Sequence, residues 1–240
     1  MKPNLFPVRG YKRKIIRLFG QSSIVGYWPL NERLGATAFD VSGRGFHGAH
    51  TGIAPDQPGP GWGIATLYDG ANDFTNVYSD ALVAAFNGAE GTLAIWAKVS
   101  GAGVWTDGLA SRLVSLQADA NNMVQIRRGV ANNRIQFLYN SGGTNRSVDD
   151  DTSFGANLLF FHCAITWSQS GNFFRAFANG VQSGVDQTVG IWAGSIGATT
   201  SVIGALNTSA SVPFSGNLAH AVLLNRAATA AEMAEAARVN

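Results

Sequence analysis

The chain has 240 residues, 46% of them hydrophobic and only 13% charged, which excludes a disordered protein and is enough for one large core. Six of its 17 basic residues lie within residues 1–20, which hold no acidic residue, so the remainder carries 11 basic and 15 acidic side chains. The basic isoelectric point therefore describes an N-terminal arm, and we do not expect the chain to bind nucleic acid. One cysteine, Cys163, excludes an internal disulfide and is predicted to be a small buried hydrophobe.

Residues 1–22 are predicted to form the basic N-terminal arm. Arg17 interrupts its short apolar stretch, so we expect an uncleaved arm and not a signal peptide. A solvated tail and an assembly anchor are both open. The interleaving of basic and apolar side chains favours the anchor, with a partner-binding set of Phe6, Lys12, Arg13, Lys14, Ile15, Arg17, Leu18 and Phe19.

Residues 23–240 alternate between short apolar runs and turn residues, a pattern typical of a two-sheet antiparallel sandwich. No run is long or apolar enough to span a membrane. A capping box at Thr229 and Glu232 predicts a short C-terminal helix. The predicted strands, in chain order, are 24–30, 64–68, 74–78, 92–99, 113–117, 124–128, 134–139, 159–167, 173–178, 181–185, 201–206 and 218–224.

Several short motifs follow one another in an order that is typical of one family. They are IVGYWPLNE (24–32), DVSGRGFHG (40–48), LYDGANDF (67–74), FHCAITW (161–167), FRAFANG (174–180), FSGNL (214–218) and LNRA (224–227). Together they resemble LamG-like jelly-roll domains of the concanavalin A-like lectin/glucanase superfamily. The resemblance implies an all-β jelly roll over residues 23–240.

The same resemblance raises the question of a structural calcium ion. In many relatives acidic residues near the closing strand or the opening turn help to hold one, but here Ala219 and His220 occupy the closing-strand positions. The remaining candidate ligands are Asp40, Asp69 and Asp73. Each lies in a turn, where an aspartate commonly bonds its own backbone, so calcium stays open.

The sequence lacks an evident catalytic pair. Glycan-cleaving relatives place two carboxylates on one strand, and hydrolysis of a glycosidic bond needs both. The four glutamates are Glu32, Glu90, Glu232 and Glu235, and none lies in such a pattern. We therefore expect a protein that is not an enzyme, with a glycan-cleaving enzyme as a remote alternative.

A binding function remains open, and proteins usually contact sugar rings with the faces of aromatic side chains. Trp28, Trp96 and Trp167 lie in predicted strands and are expected in the core. Trp62, Trp105 and Trp192 lie in glycine-rich loops and are the candidate carbohydrate contacts.

Two functions remain open at this point. The first is a structural protein of a virus particle, a bacteriophage decoration or fibre-associated subunit. It would be assembled in the host cytoplasm in multiple copies or as a homo-oligomer, and its arm would bind capsid or tail proteins. The second is a carbohydrate- or host-receptor-binding module that recognises a surface glycan.

Overall fold

The structure, a computed structural model, describes residues 8–131, 133–150 and 158–239. Within these ranges the helices are α1 (Val8–Phe19), α2 (Asp80–Ala85) and α3 (Ala230–Ala236). None of these helices is long and apolar enough to cross a bilayer. The strands are β1 (Ile24–Trp28), β2 (Thr37–Ala38), β3 (Gly48–Thr51), β4 (Ala54–Pro58), β5 (Ile64–Asp69), β6 (Phe74–Asn76), β7 (Glu90–Val99), β8 (Ser111–Asp119), β9 (Asn122–Arg128), β10 (Ile135–Ser141), β11 (Thr144–Asp150), β12 (Phe161–Ser168), β13 (Phe173–Ala178), β14 (Val181–Gln187), β15 (Ser201–Ile203) and β16 (Ser215–Leu224).

The strands form two antiparallel sheets, which confirms the predicted all-β sandwich. Sheet A has the order β14–β13–β12–β7–β16–β5–β4, with β1 also paired to β16. Sheet B has the order β11–β10–β9–β8–β15–β6–β3–β2. Neighbours in space are often distant in sequence, as for β16 between β5 and β7. The sandwich is therefore held by long-range pairing and not by hairpins alone.

The main core fills the space between the sheets and follows the two-residue period of the strands. In β7 the inward side chains include Leu93 and Ile95, and in β9 they include Val124 and Ile126. Trp167 on β12 joins the same cluster. Cys163 is buried there as a free thiol, as predicted.

A second apolar layer covers the outer face of sheet A. Tyr11, Ile15 and Phe19 of α1 pack with Trp96 on β7, and α3 adds Met233 to the same cluster. These three α1 residues recur every fourth position, so they share one side of the helix. The Thr229 capping box at the start of α3 is present as predicted.

This layer changes the interpretation of the N-terminal arm. The prediction treated Ile15 and Phe19 as apolar grips on a partner, but both are buried against the chain's own sheet. Burying them there removes apolar surface from water without any partner. The segment from residue 8 therefore packs onto the sandwich, and that part of the anchor prediction is wrong.

Candidate functional site

The three loop tryptophans that we predicted as sugar contacts lie in three different environments. Trp62 is 94% exposed in the loop between β4 and β5. Trp192 is half-buried and stacks on Tyr139, with 6.0 Å between ring centroids. Trp105 is fully buried, with its ring 5.8 Å from that of Phe161. A ligand cannot reach Trp105, so this prediction is wrong.

The basic residues of α1 are also divided between two roles. Lys14 forms an ion pair with Glu235 of α3 at 2.8 Å and donates to the Arg238 carbonyl. It therefore fastens one helix to the other. Arg13 and Arg17 are exposed.

The remaining members of the predicted arm set complete this picture. Lys12 is half-buried and lines an open cleft of about 470 Å³ beside the turn at residues 41–44. Leu18 is half-buried and packs against the second apolar cluster. Phe6 lies outside the described residues.

A buried polar cluster lies beneath α1. The Trp96 indole donates to the Tyr11 hydroxyl at 2.9 Å, and the Tyr11 hydroxyl donates to the Ala236 carbonyl at 2.7 Å. The Tyr11 ring packs on His220, with 4.5 Å between centroids, and His220 Nδ1 is 2.9 Å from the Tyr27 hydroxyl. Burial lowers the pKa of His220 to about 3, and the neighbouring His162 contributes further. The cluster positions α1 through specific hydrogen bonds.

The three aspartates proposed as calcium ligands are engaged with backbone groups. The Asp40 carboxylate accepts hydrogen bonds from the backbone amides of Tyr27, Ser42 and Phe46 and from the Ser42 hydroxyl. It therefore organises the turn after β2. No cluster of three or more His, Cys, Asp or Glu residues suited to a metal occurs in the ranges that the structure describes.

Asp69 and Asp73 belong to the turn between β5 and β6. Asp73 accepts from the backbone amide of Asp69 at 2.7 Å, and Asp69 accepts from that of Ala71 at 2.7 Å. Burial is the main cause that raises the pKa of Asp73. A calcium ion at these aspartates remains a prediction.

A cavity of about 340 Å³ lies at the end of the sandwich where β8 begins and β9 ends. We call it the rim pocket, and its walls include Val104, Asp107, Leu109, Ser111, Arg128 and Pro213. Ser111 and Arg128 are directly opposite each other in the β8–β9 ladder. Its volume is within the range of pockets that hold small ligands.

The rim pocket has a buried guanidinium that its neighbours satisfy only in part. Arg128 is 1% exposed, and its Nη2 donates to Asp107 Oδ1 at 2.6 Å. Among the described residues, its Nε and Nη1 have no hydrogen-bond partner, and neither does the buried hydroxyl of Ser111. Buried polar groups are nearly always hydrogen-bonded. These buried donors leave unmet hydrogen-bonding capacity in the wall of the rim pocket.

Local structure holds the acidic side of the pocket in place. Asp107 Oδ1 also accepts from the Leu109 amide at 2.8 Å, which closes a tight turn around the carboxylate. The preceding helical turn, Ala102–Trp105, is anchored by the buried Trp105 ring and by the Asn133 amide, which donates to the Trp105 carbonyl at 2.9 Å. Trp105 thus supports the pocket from behind.

The lining combines apolar surface with a few polar groups, as pockets for small ligands commonly do. Leu109 is largely exposed at the mouth, and Val104 and Pro213 add apolar surface. Arg128 offers N–H donors and Asp107 a carboxylate acceptor, a combination suited to neighbouring hydroxyls. Asp107 is the one carboxylate among the described lining residues, whereas glycoside cleavage uses two.

The profile of the concanavalin A-like lectin/glucanases superfamily matches residues 69–234, more than half of the chain. No curated protein matches the sequence. Among solved structures, the receptor-binding domain of botulinum neurotoxin mosaic serotype C/D is similar, with a TM-score of 0.67 and 10% identity over 90% of this chain and 51% of that one.

Two further solved structures are similar at this level. The binding domain of Paraclostridial Mosquitocidal Protein 1 has a TM-score of 0.67 and 14% identity, over 89% of this chain and 51% of that one. Domain 4 of AbnA, an extracellular arabinanase from Geobacillus stearothermophilus in complex with arabinotriose, has a TM-score of 0.59 and 15% identity, over 90% and 98%. The present chain spans about half the length of the two toxin domains. At these identities the similarity concerns the fold.

Proposed function

The chain belongs to the concanavalin A-like lectin/glucanases superfamily, and from this premise we propose that it is a non-enzymatic carbohydrate-binding domain whose ligand occupies the rim pocket. The observation that carries the proposal is Arg128, buried with two unpartnered nitrogens beside Asp107 and Ser111. A sugar with adjacent hydroxyls would accept from the guanidinium and donate to the carboxylate. Leu109 and Pro213 would pack on its apolar face.

The similar structures support the binding class of this proposal. Two are binding domains, and a third is a domain in complex with arabinotriose. The single lining carboxylate of the described pocket supports binding without hydrolysis. A host receptor that presents such a glycan is the corresponding physiological partner.

The test is a glycan array followed by calorimetric titration of the strongest neutral oligosaccharide. Arg128→Met removes the donors, and we expect it to weaken binding by about tenfold or more, because each lost charge-assisted hydrogen bond is a large part of the affinity. The matched control is Arg175→Met, which breaks the exposed Arg175–Asp186 pair on sheet A. An array without any binder at high protein concentration would contradict the proposal.

A second pair of variants tests the pocket without touching its ion pair. Leu109→Ala should weaken the same titration, since Leu109 lines the mouth. Leu34→Ala is the control, because Leu34 is also a strongly exposed leucine. Equal affinities for the two variants would place the sugar elsewhere.

The role in a virus particle remains a prediction about assembly. Its structural support is the exposed side of α1, where Arg13 and Arg17 are available to acidic neighbours in capsid or tail proteins or in further copies of this chain. Location in a virion rests on the same argument. An Arg13→Ala/Arg17→Ala double variant should fail to incorporate into particles, and normal incorporation would contradict the anchor.

A further inference from the structure

Two arginines lie side by side on the outer face of sheet B. Arg112 of β8 is the direct cross-strand partner of Arg127 of β9. In β9, Val124 and Ile126 point into the core, so Arg127 belongs to the opposite, outer face by the alternation of a strand. This pair is therefore separate from the inward-facing Arg128 and from the rim pocket.

Each arginine is held by a glutamine and not by a carboxylate. Arg112 Nε donates to Gln125 Oε1 at 3.1 Å, and Gln125 Nε2 donates in turn to Ser115 Oγ at 3.0 Å. Arg127 Nε donates to Gln136 Oε1 at 2.5 Å. The glutamines fix the orientation of both guanidinium groups, but as neutral side chains they do not compensate the two charges.

Burial makes this arrangement unfavourable for the protein alone. Arg112 is 9% exposed, and its buried Nη1 has no hydrogen-bond partner in the ranges that the structure describes. Arg127 is half-buried. Burial, and next the charge of Arg127, lower the pKa of Arg112 to about 10. Like charges directly opposite each other on a sheet are destabilising, and a buried charge without a counterion is costly.

Within the described part of the chain, Asp149 of β11 is the acidic group in the same cross-strand row as the pair. Its register partner is Gln136, and its charge opposes the lowering of the Arg127 pKa by burial. However, its Oδ2 accepts from Arg134 Nη1 at 2.8 Å, so this carboxylate is shared with a third guanidinium. Among the residues that the structure describes here, three guanidinium groups therefore share one carboxylate.

From this geometry we propose that Arg112 and Arg127 form an oxyanion-binding site on the outer face of sheet B, for a sulfate, phosphate or carboxylate group. Two guanidinium groups held in fixed orientation match the oxygens of such an anion by paired N–H donors. An anion would supply the missing partner for Arg112 and relieve the repulsion across the strands. The group can be free or carried by a glycan, and the chemistry at the arginines is the same.

The experiment is a titration of the full chain followed by the side-chain Nε–Hε signals of arginine in NMR. The probes are inorganic sulfate, a sulfated disaccharide and the same disaccharide without sulfate. We expect sulfate and the sulfated disaccharide to shift the Arg112 and Arg127 signals, and the unsulfated sugar to leave them unchanged. Tighter binding of the disaccharide than of sulfate would identify a glycan-borne group, and equal binding would identify a free anion.

Arg127→Gln should weaken sulfate binding about tenfold, since one of two charged donors is lost. Arg127 is the safer position because it is only half-buried, and Arg112→Gln is the second variant, with thermal unfolding as the check that it folds. The control Arg175→Gln should bind like the unmodified chain. Arg128→Met should also leave sulfate binding intact, which separates this proposal from the rim pocket. Unshifted arginine signals, or equal binding by Arg127→Gln, would overturn it.

Discussion

The outer faces of the two sheets carry opposite kinds of surface. On sheet A the outward residues are apolar, such as Trp96 and Phe177, and α1 and α3 cover them. On sheet B the outward residues next to the arginine pair are polar, with Gln125 and Ser115 joined by hydrogen bonds. The chain itself covers the apolar face of sheet A, whereas we propose that an anion from outside the chain completes the charged face of sheet B.

The largest expected effect on stability tests the outer face of sheet A, which α1 and α3 cover. Phe19→Ala removes a buried ring between α1 and sheet A, and we expect it to lower the free energy of unfolding by about 3–5 kcal/mol, as measured by urea denaturation. Arg17→Ala, on the exposed side of the same helix, should change it by less than about 0.5 kcal/mol. If both variants had equally small effects, α1 would not be docked in solution.

The second expected effect is a pH dependence of stability, caused by the two histidines buried at the outer face of sheet A. Burial lowers the pKa of both His162 and His220 to about 3, while the unfolded chain titrates near 6.5. Between these values the unfolded state binds more protons, so stability is full above pH 6.5 and falls as the pH decreases. The expected slope is about 1.4 kcal/mol per pH unit for each histidine.

Urea denaturation between pH 7 and pH 4.5 measures this slope. His220→Asn should reduce it by about half, and asparagine suits this position because the backbone φ there is +53°. His47→Asn replaces an exposed histidine and is the control. A slope that is the same in all three proteins would contradict protonation of the buried pair as the cause.

The sequence predicted the strands better than it predicted what covers them. The two-residue alternation of β7 places Leu93 on the inward face and Trp96 on the outward face. It did not predict that a helix lies on Trp96, because the basic charge of the N-terminal segment favoured contact with a separate partner. The spacing of Tyr11, Ile15 and Phe19 was the available signal for that helix.

The candidate site was less predictable for a different reason. The same alternation places Arg128 on the inward face after Val124 and Ile126, which could have identified it as a buried charge. Its partner Asp107 comes from a loop 21 residues away, and no local pattern gives that pairing. The prediction that Trp105 contacts a sugar was wrong for a similar reason. Its glycine-rich loop suggested an exposed side chain, but long-range packing on Phe161 buries the ring.

A smaller change in the free energy of unfolding, of opposite sign, is expected on the polar outer face of sheet B. Arg112→Met replaces a desolvated charge that lies beside a like charge with an apolar side chain of similar length. We expect the free energy of unfolding to stay constant or to rise by about 1 kcal/mol, because uncompensated buried charges are often better replaced by hydrophobic residues. A loss of more than about 2 kcal/mol in urea denaturation would show that Arg112 serves stability and not binding.

The smallest expected effect concerns Trp62, which belongs to neither face. Because its side chain is 94% exposed, Trp62→Ala returns almost no apolar surface to water and should change the free energy of unfolding by less than about 0.5 kcal/mol. The backbone φ of +64° is unfavourable for tryptophan and alanine alike, so the substitution brings no relief of strain.

Iodide quenching of tryptophan fluorescence should fall sharply in the variant, since Trp28, Trp96, Trp105 and Trp167 are buried. Unchanged quenching would mean that Trp62 is covered in solution, and a second copy or a bound partner would then be the first candidate for what covers it.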